Sequence, residues 1–126
     1  MRELNIKNYA HIGDAVWELF IREKTIYITE NLKKLHDLTV SFVNAKFQSE
    51  LLKYLLEYLS ETELDLIRRA GNIRTSSVRR IDRNLHRKAT EFEVLLGYNY
   101  IHNKTRLEEL LHIIEKHTNF ISMLKN

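Results

Sequence analysis

The chain contains no cysteine and no proline, and glycine occurs only three times in 126 residues. Without cysteine there is no disulfide, no thiolate zinc site and no thiol nucleophile, although this alone does not fix a compartment. Without proline, and with leucine, isoleucine, lysine and glutamate abundant, long uninterrupted helices are favoured over a sandwich or barrel. No stretch approaches the roughly 18 apolar residues of a membrane span, and the opening MRELNIKNYAH lacks the apolar segment of a secretion signal. A soluble cytoplasmic protein is therefore expected, with one domain over residues 1–126 and no membrane partner.

Familiar catalytic signatures are missing too. The six histidines (His11, His36, His86, His102, His112 and His117) form no HExxH pair and show no i,i+4 spacing, so a zinc hydrolase site is disfavoured. Each is more simply a surface or helix-end residue. There is no Walker A glycine loop and no GxSxG elbow.

What is present is a pair of apolar runs, each interrupted by an acid. Ala89–Tyr100, ATEFEVLLGYNY, encloses Glu93, and His11–Ile21, HIGDAVWELFI, encloses Asp14. Gly13 precedes Asp14, and Gly97 follows Glu93 by four residues. Glycine inside a helix costs about 1 kcal/mol relative to alanine, so its presence in both runs points to a close helix-to-helix approach. If the two helices cross there, Asp14 and Glu93 share one pocket. Unpaired carboxylates in such a place call for a cation, a hydrogen-bond network or a raised pKa. Carboxylates suit hard cations such as Mg²⁺ or Mn²⁺, which serve phosphoryl chemistry by activating water and stabilising a leaving oxygen. The plainer reading of Asp14 is an N-cap for a helix starting at Ala15. Glu18, four residues on and on the same face, either assists a cation or faces solvent.

The net charge of +3 conceals an uneven distribution. Between Arg68 and Lys88 stand eight basic residues (Arg68, Arg69, Arg74, Arg79, Arg80, Arg83, Arg87 and Lys88) against one acid, Asp82, so the remainder of the chain is acidic. A concentrated basic segment on an acidic body suggests a polyanion partner, the alternative being a solvated surface loop. Acids for a metal and bases for a polyanion together argue for a nuclease.

Helical spacing of Ile12, Ala15, Val16, Leu19 and Phe20 predicts a first helix over about Lys7–Arg22. A break follows at Ile26–Glu30. Leu32–Leu59 reads as two helices, or one with an irregularity near residues 41–44, with Lys33, Lys34, His36, Lys46 and Gln48 on its polar side. Ser60 and Glu63 form a capping box that opens a helix over Glu61–Ala70, closed by Gly71. Asn72–Leu85 shows little periodicity and reads as a basic loop that orders on binding. Helices over Arg87–Ile101 and Thr105–His117 complete an all-α bundle, and the tail FISMLKN either docks or frays.

HIGDAVWELFIRE resembles the signature helix of ribonuclease III, and ATEFEVLLGYNY resembles that family's second catalytic motif. LHDLTVSFVNAKFQSELL and IRRAGNIRTSS resemble the matching segments of Mini-ribonuclease III, the bacterial form without a double-stranded-RNA-binding domain; the likeness runs from about Asn8 to Glu115. It implies an all-α, ribonuclease III-type endonuclease domain acting as a homodimer. It also implies Mg²⁺-dependent cleavage of double-stranded RNA, with Mn²⁺ as a substitute, notably in maturing large-subunit ribosomal RNA and leaving a 5′-phosphate and a 3′-hydroxyl. By position, Asp14 and Glu93 become the catalytic, metal-binding acids. Arg68 to Lys88, joined by Lys46, become the RNA-binding residues, reading A-form shape more than sequence. Full-length ribonuclease III enzymes carry further acids where Ala10 and Thr90 stand here, whereas Mini-ribonuclease III lacks them. In that sparse setting Glu18 and Glu91 are candidates to assist through water. The family's RRGRN run reads Arg68-Arg69-Ala70-Gly71-Asn72, one arginine short. The rival readings are a non-catalytic relative that binds structured RNA or ribosomal particles, and a helical DNA-binding module with an arginine-bearing recognition helix.

Overall fold

With no proline to set helix starts, asparagine does most of that work. Asn5, Asn31, Asn44 and Asn103 each accept a backbone N–H from the first turn of the following helix. Ser60 and Glu63 make the reciprocal capping box expected from their spacing. Each cap contributes about 1 kcal/mol. A computed structural model describes residues 3–72 and 80–125, the side chains of 80–82 excepted. The helices are α1 (Ile6–Thr25), α2 (Leu32–Phe42), α3 (Ala45–Leu55), α4 (Glu61–Ala70), α5 (Arg80–His102), α6 (Lys104–Glu115) and α7 (Thr118–Leu124). A 3₁₀ turn, Leu56–Tyr58, extends α3, and no strand occurs among the described residues. No described helix is long and apolar enough to cross a membrane.

The break after α1 and the interruption at Val43–Asn44 fall where the sequence indicates. The segment read as an aperiodic loop does not. From Arg80 onward it is the first two turns of α5, with residues 73–79 outside the described residues. The reason is a sparse apolar face: half-buried Leu85 leads by helical spacing into buried Ala89, Phe92 and Leu96, and basic neighbours mask that periodicity. The tail docks: Phe120 of α7 is 1% exposed and packs edge-on to Phe42, ring centroids 5.3 Å apart.

α5 is the central helix, packed on α1, α3, α4 and α6. Its consecutive residues Val94, Leu95 and Leu96 are all fully buried, which requires neighbours on every side. Against it α1 lays a ridge of residues four apart: Tyr9, Gly13, Trp17, Ile21 and Thr25, all buried. Trp17 anchors that ridge; its indole N–H donates to the Phe42 carbonyl (2.9 Å) and its ring meets Phe92 edge-on at 5.0 Å. Truncating such a residue to alanine typically costs about 3–5 kcal/mol. This ridge turns Ala15 and Leu19 of the apolar stripe outward: Leu19 is 62% exposed. Beside it stand exposed Ile26, Leu32 and Val40, around a groove of about 240 Å³ between α1 and α2 that Glu18, Arg22 and His36 also line.

Candidate active site

α1 and α5 run antiparallel and cross through their glycines. A methyl group on Gly13 would sit inside the Glu93 backbone carbonyl, 2.6 Å from its carbon and 3.0 Å from Gly97 N. One on Gly97 would meet the Tyr9 carbonyl in the same way, 2.8 Å from its carbon. Only hydrogen fits at either place, so the two backbones touch directly, with Ile12 Cγ2 packed beside Gly97. The next residue along α1 is Asp14, and the crossing carries it to Glu93. Asp14 lies well inside α1, whose cap is Asn5, which removes the N-cap reading.

The two carboxyls lie within hydrogen-bonding reach of each other. Glu93 is half-buried and Asp14 is exposed at the lip, a more open setting than the apolar runs suggested. Burial pushes the Glu93 carboxyl up, and the neighbouring Asp14 charge and hydrogen bond add to it, reaching about 8. At neutral pH the Glu93 carboxyl therefore holds its proton when no cation is bound.

Glu18 and Glu91 are not gathered here. Glu18 pairs with Arg22 (3.6 Å) and turns toward the α1–α2 groove. Glu91 packs at the end of α4, its Oε1 in the space that a Gly71 side chain would occupy, and burial raises its carboxyl against the lowering pull of Lys88 and Arg87. Among the described residues no three histidine, aspartate or glutamate side chains converge. Thr90 donates its hydroxyl to the His86 carbonyl (2.9 Å), and Ala10 packs with Tyr9 and Val94.

The basic residues divide by location. Arg83 and Arg87 are exposed one turn apart on the N-terminal extension of α5, Lys88 is half-buried beside them, and α5 begins at Arg80. Arg87 donates to Asn84 Oδ1 (3.1 Å). Arg68 and Arg69 lie exposed at the end of α4; both pair with Asp65, and Arg69 also with Glu3 (3.6 Å). Lys46 is exposed at the start of α3, beside a groove of about 250 Å³ with Glu50 and Asn119. Arg74 and Arg79 lie outside the described residues. The basic segment, read from sequence as an aperiodic loop, thus carries arginines on a helix, as the rival DNA-binding module would. Two features escaped the sequence reading: the exposed apolar face of α1 and α2, of which the spacing marks only Leu19, within a helical stripe, and a hydrogen bond between Tyr9 and His102 that spans 93 positions.

Fold and site together define an all-α protein built around a two-carboxylate helix crossing. The ribonuclease III domain profile matches residues 7–104, which include both acids. A Mini-ribonuclease 3 from Gloeobacter violaceus is 37% identical over 92% of this chain and 86% of its own length. Another from a Thermoanaerobacter species is 39% identical over 84% and 75%. A crystal structure of a protein from Fusobacterium nucleatum superposes with a TM-score of 0.80 at 30% identity, covering 91% of this chain and 94% of that one. The chain belongs to the Mini-ribonuclease III group of the ribonuclease III family.

Proposed function

We propose that this ribonuclease III-family endoribonuclease cuts double-stranded RNA with Mg²⁺, or Mn²⁺ in its place, held by Asp14 and Glu93. The observation that carries this reading is the pairing of the two acids at the glycine crossing. Their donor chemistry fits such an ion. Magnesium keeps several of its waters and takes one or two protein carboxylates, which matches two carboxyls with no third acid or histidine beside them among the described residues. When bound, such an ion lowers the pKa of a coordinated water and stabilises charge on the leaving oxygen.

The chain's own residues do the rest. Asp14 and Glu93, once deprotonated, fix the ligand position, and Gly13 and Gly97 let their helices approach. Arg83, Arg87 and Lys88 on α5, with Arg68 and Arg69 at the end of α4, attract phosphates and register A-form shape. The products are a 5′-phosphate and a 3′-hydroxyl. The exposed face formed by Leu19, Ile26, Leu32 and Val40 supports a homodimer, which would set one acid pair against each strand of the duplex. A role in maturing large-subunit ribosomal RNA in the cytoplasm is what the resemblance to Mini-ribonuclease III implies for this chain. A non-catalytic RNA binder has little use for two like charges pressed together, which speaks against that alternative.

The test is incubation of the protein with a long duplex RNA, in Mg²⁺ or in EDTA, beside Glu93→Gln. Cleavage that requires both the ion and Glu93 is expected. Binding without cleavage in either ion would overturn the enzymatic reading.

A further inference from the structure

We propose that Tyr9 and His102 are positioning residues, whose hydrogen bond locks the register of α1 against α5 and thereby sets the separation of Asp14 and Glu93. The link to catalysis rests on the metal-dependent reading above; the register lock does not. The Tyr9 ring is fully buried, and its hydroxyl has two partners: the Leu4 N–H donates to it at 2.9 Å, and His102 Nε2 lies 2.6 Å away. An oxygen that already accepts from Leu4 has its own proton to place, and Nε2 is the acceptor within reach among the described residues. The imidazole therefore carries its proton on Nδ1. Tyr98 closes on both rings, with centroids 5.1 Å from Tyr9 and 4.6 Å from His102. The chain before α1, the start of α1 and the end of α5 are thus tied at one point.

The geometry of the seam explains why such a tie matters. Tyr9 faces Gly97 and Gly13 faces Glu93, so one turn forward on α1 matches one turn back on α5. Two backbones in contact through glycine have few side-chain knobs to resist sliding or twisting; the side-chain atom packed closest to Gly97 is Ile12 Cγ2. What resists must lie at the ends. Beyond the acids, Trp17 meets Phe92, an apolar contact with little directional preference. On the near side the Tyr9–His102 bond is short, buried and directional, and lies five residues, about 7.5 Å along the helix, from Asp14.

The absence of native cysteine makes the separation directly measurable. A double variant, Asp14→Cys with Glu93→Cys, reports it through the rate of disulfide formation under a fixed oxidant, which is steep in Cβ separation. Adding Tyr9→Phe or His102→Leu should slow that rate roughly fivefold or more, whereas His102→Gln, which keeps an acceptor, should restore it. With both acids intact, Mn²⁺ affinity read by electron paramagnetic resonance should fall severalfold in Tyr9→Phe and His102→Leu but not in His102→Gln. An unchanged cross-linking rate in folded Tyr9→Phe overturns the proposal, even if thermal stability drops, because the bond is then merely structural. Should Tyr9→Phe fail to fold, the comparison of His102→Leu with His102→Gln decides in the same way. If the parent binds no Mn²⁺ and cuts no RNA, the metal-dependent reading falls, while the cross-linking rates still decide the register lock.

Discussion

Replacing Gly13 with alanine tests the crossing more sharply than removing either acid. In a free helix the change is favourable by about 1 kcal/mol. Here the new Cβ would stand 2.6 Å from the Glu93 carbonyl carbon and 3.0 Å from Gly97 N, where an ordinary contact needs 3.4 Å or more. The obstacle is helical backbone, which cannot swing aside as a side chain does. α1 must therefore retreat from α5 by about 1 Å, lifting part of the Trp17 and Ile21 contacts with it. Overpacking of this kind costs about 1–3 kcal/mol, and a rigid obstacle places it near the upper end. Less the propensity gain, the net loss is about 2 kcal/mol, or roughly 5–10 °C in Tm. The same displacement separates Asp14 from Glu93, and 1 Å of misplacement lowers a rate by about 100-fold. Thermal unfolding and duplex-RNA cleavage measure the two effects. Gly71→Ala is the control: its φ of −66° is ordinary, and its Cβ would meet only the mobile end of Glu91. It should stay within about 0.5 kcal/mol of the parent. If Gly13→Ala matches or exceeds the parental Tm and cleaves normally, the close crossing is refuted.

The proton held on Glu93 gives a pH signature. Because the folded carboxyl of Glu93 is raised from 4.5 to about 8, the metal-free protein loses stability as pH rises through that window, by about 1–3 kcal/mol after allowing for partial exposure. Glu93→Gln should flatten that slope in thermal denaturation. Mg²⁺ binding must displace the proton, so calorimetric affinity should rise by up to about tenfold per pH unit between 6 and 8; a flat profile would contradict the pairing. A second carboxylate behaves oppositely. Burial raises Glu63, but hydrogen bonds from Arg106 (2.8 and 3.0 Å) and the Ser60 N–H outweigh it and hold the carboxyl low. That stabilisation is present above pH 4.5 and is lost as pH falls through the depressed value. Arg106→Ala, which leaves Glu63 buried without its partner, should cost about 2–3 kcal/mol in urea unfolding, and an unchanged midpoint would show the ion pair to be idle. Arg83→Ala with Arg87→Ala should weaken duplex-RNA binding and reduce the slope of log affinity against log salt by about 1 per lost contact, without altering Tm. An unchanged slope would place the RNA elsewhere.

Much of this molecule is decided locally. The capping box at Ser60, the break after α1 and the two-helix character of residues 32–59 follow from side-chain spacing, since caps and amphipathic periodicity act within a few residues. The presence of Gly13 and Gly97 in apolar helical runs announced a close approach, because glycine in a helix is unfavourable unless something needs the room. Residue type and order also gave the family resemblance. Other features depend on which face meets which neighbour. Periodicity showed that α1 has an apolar stripe, but the ridge through Tyr9, Trp17 and Ile21 met α5, and Leu19 was left outside. The N-terminal extension of α5 is held by Leu85 in register with Ala89 and Phe92, an apolar spacing so interrupted by charges that it is too faint a signal alone. That Asp14 reaches Glu93 while Glu18 turns to Arg22 is a consequence of the crossing angle and register of two helices 79 positions apart, which no local pattern encodes. Sequence supplied the acids and the room between their helices; tertiary packing alone set Asp14 beside a half-buried Glu93 and so raised the Glu93 carboxyl.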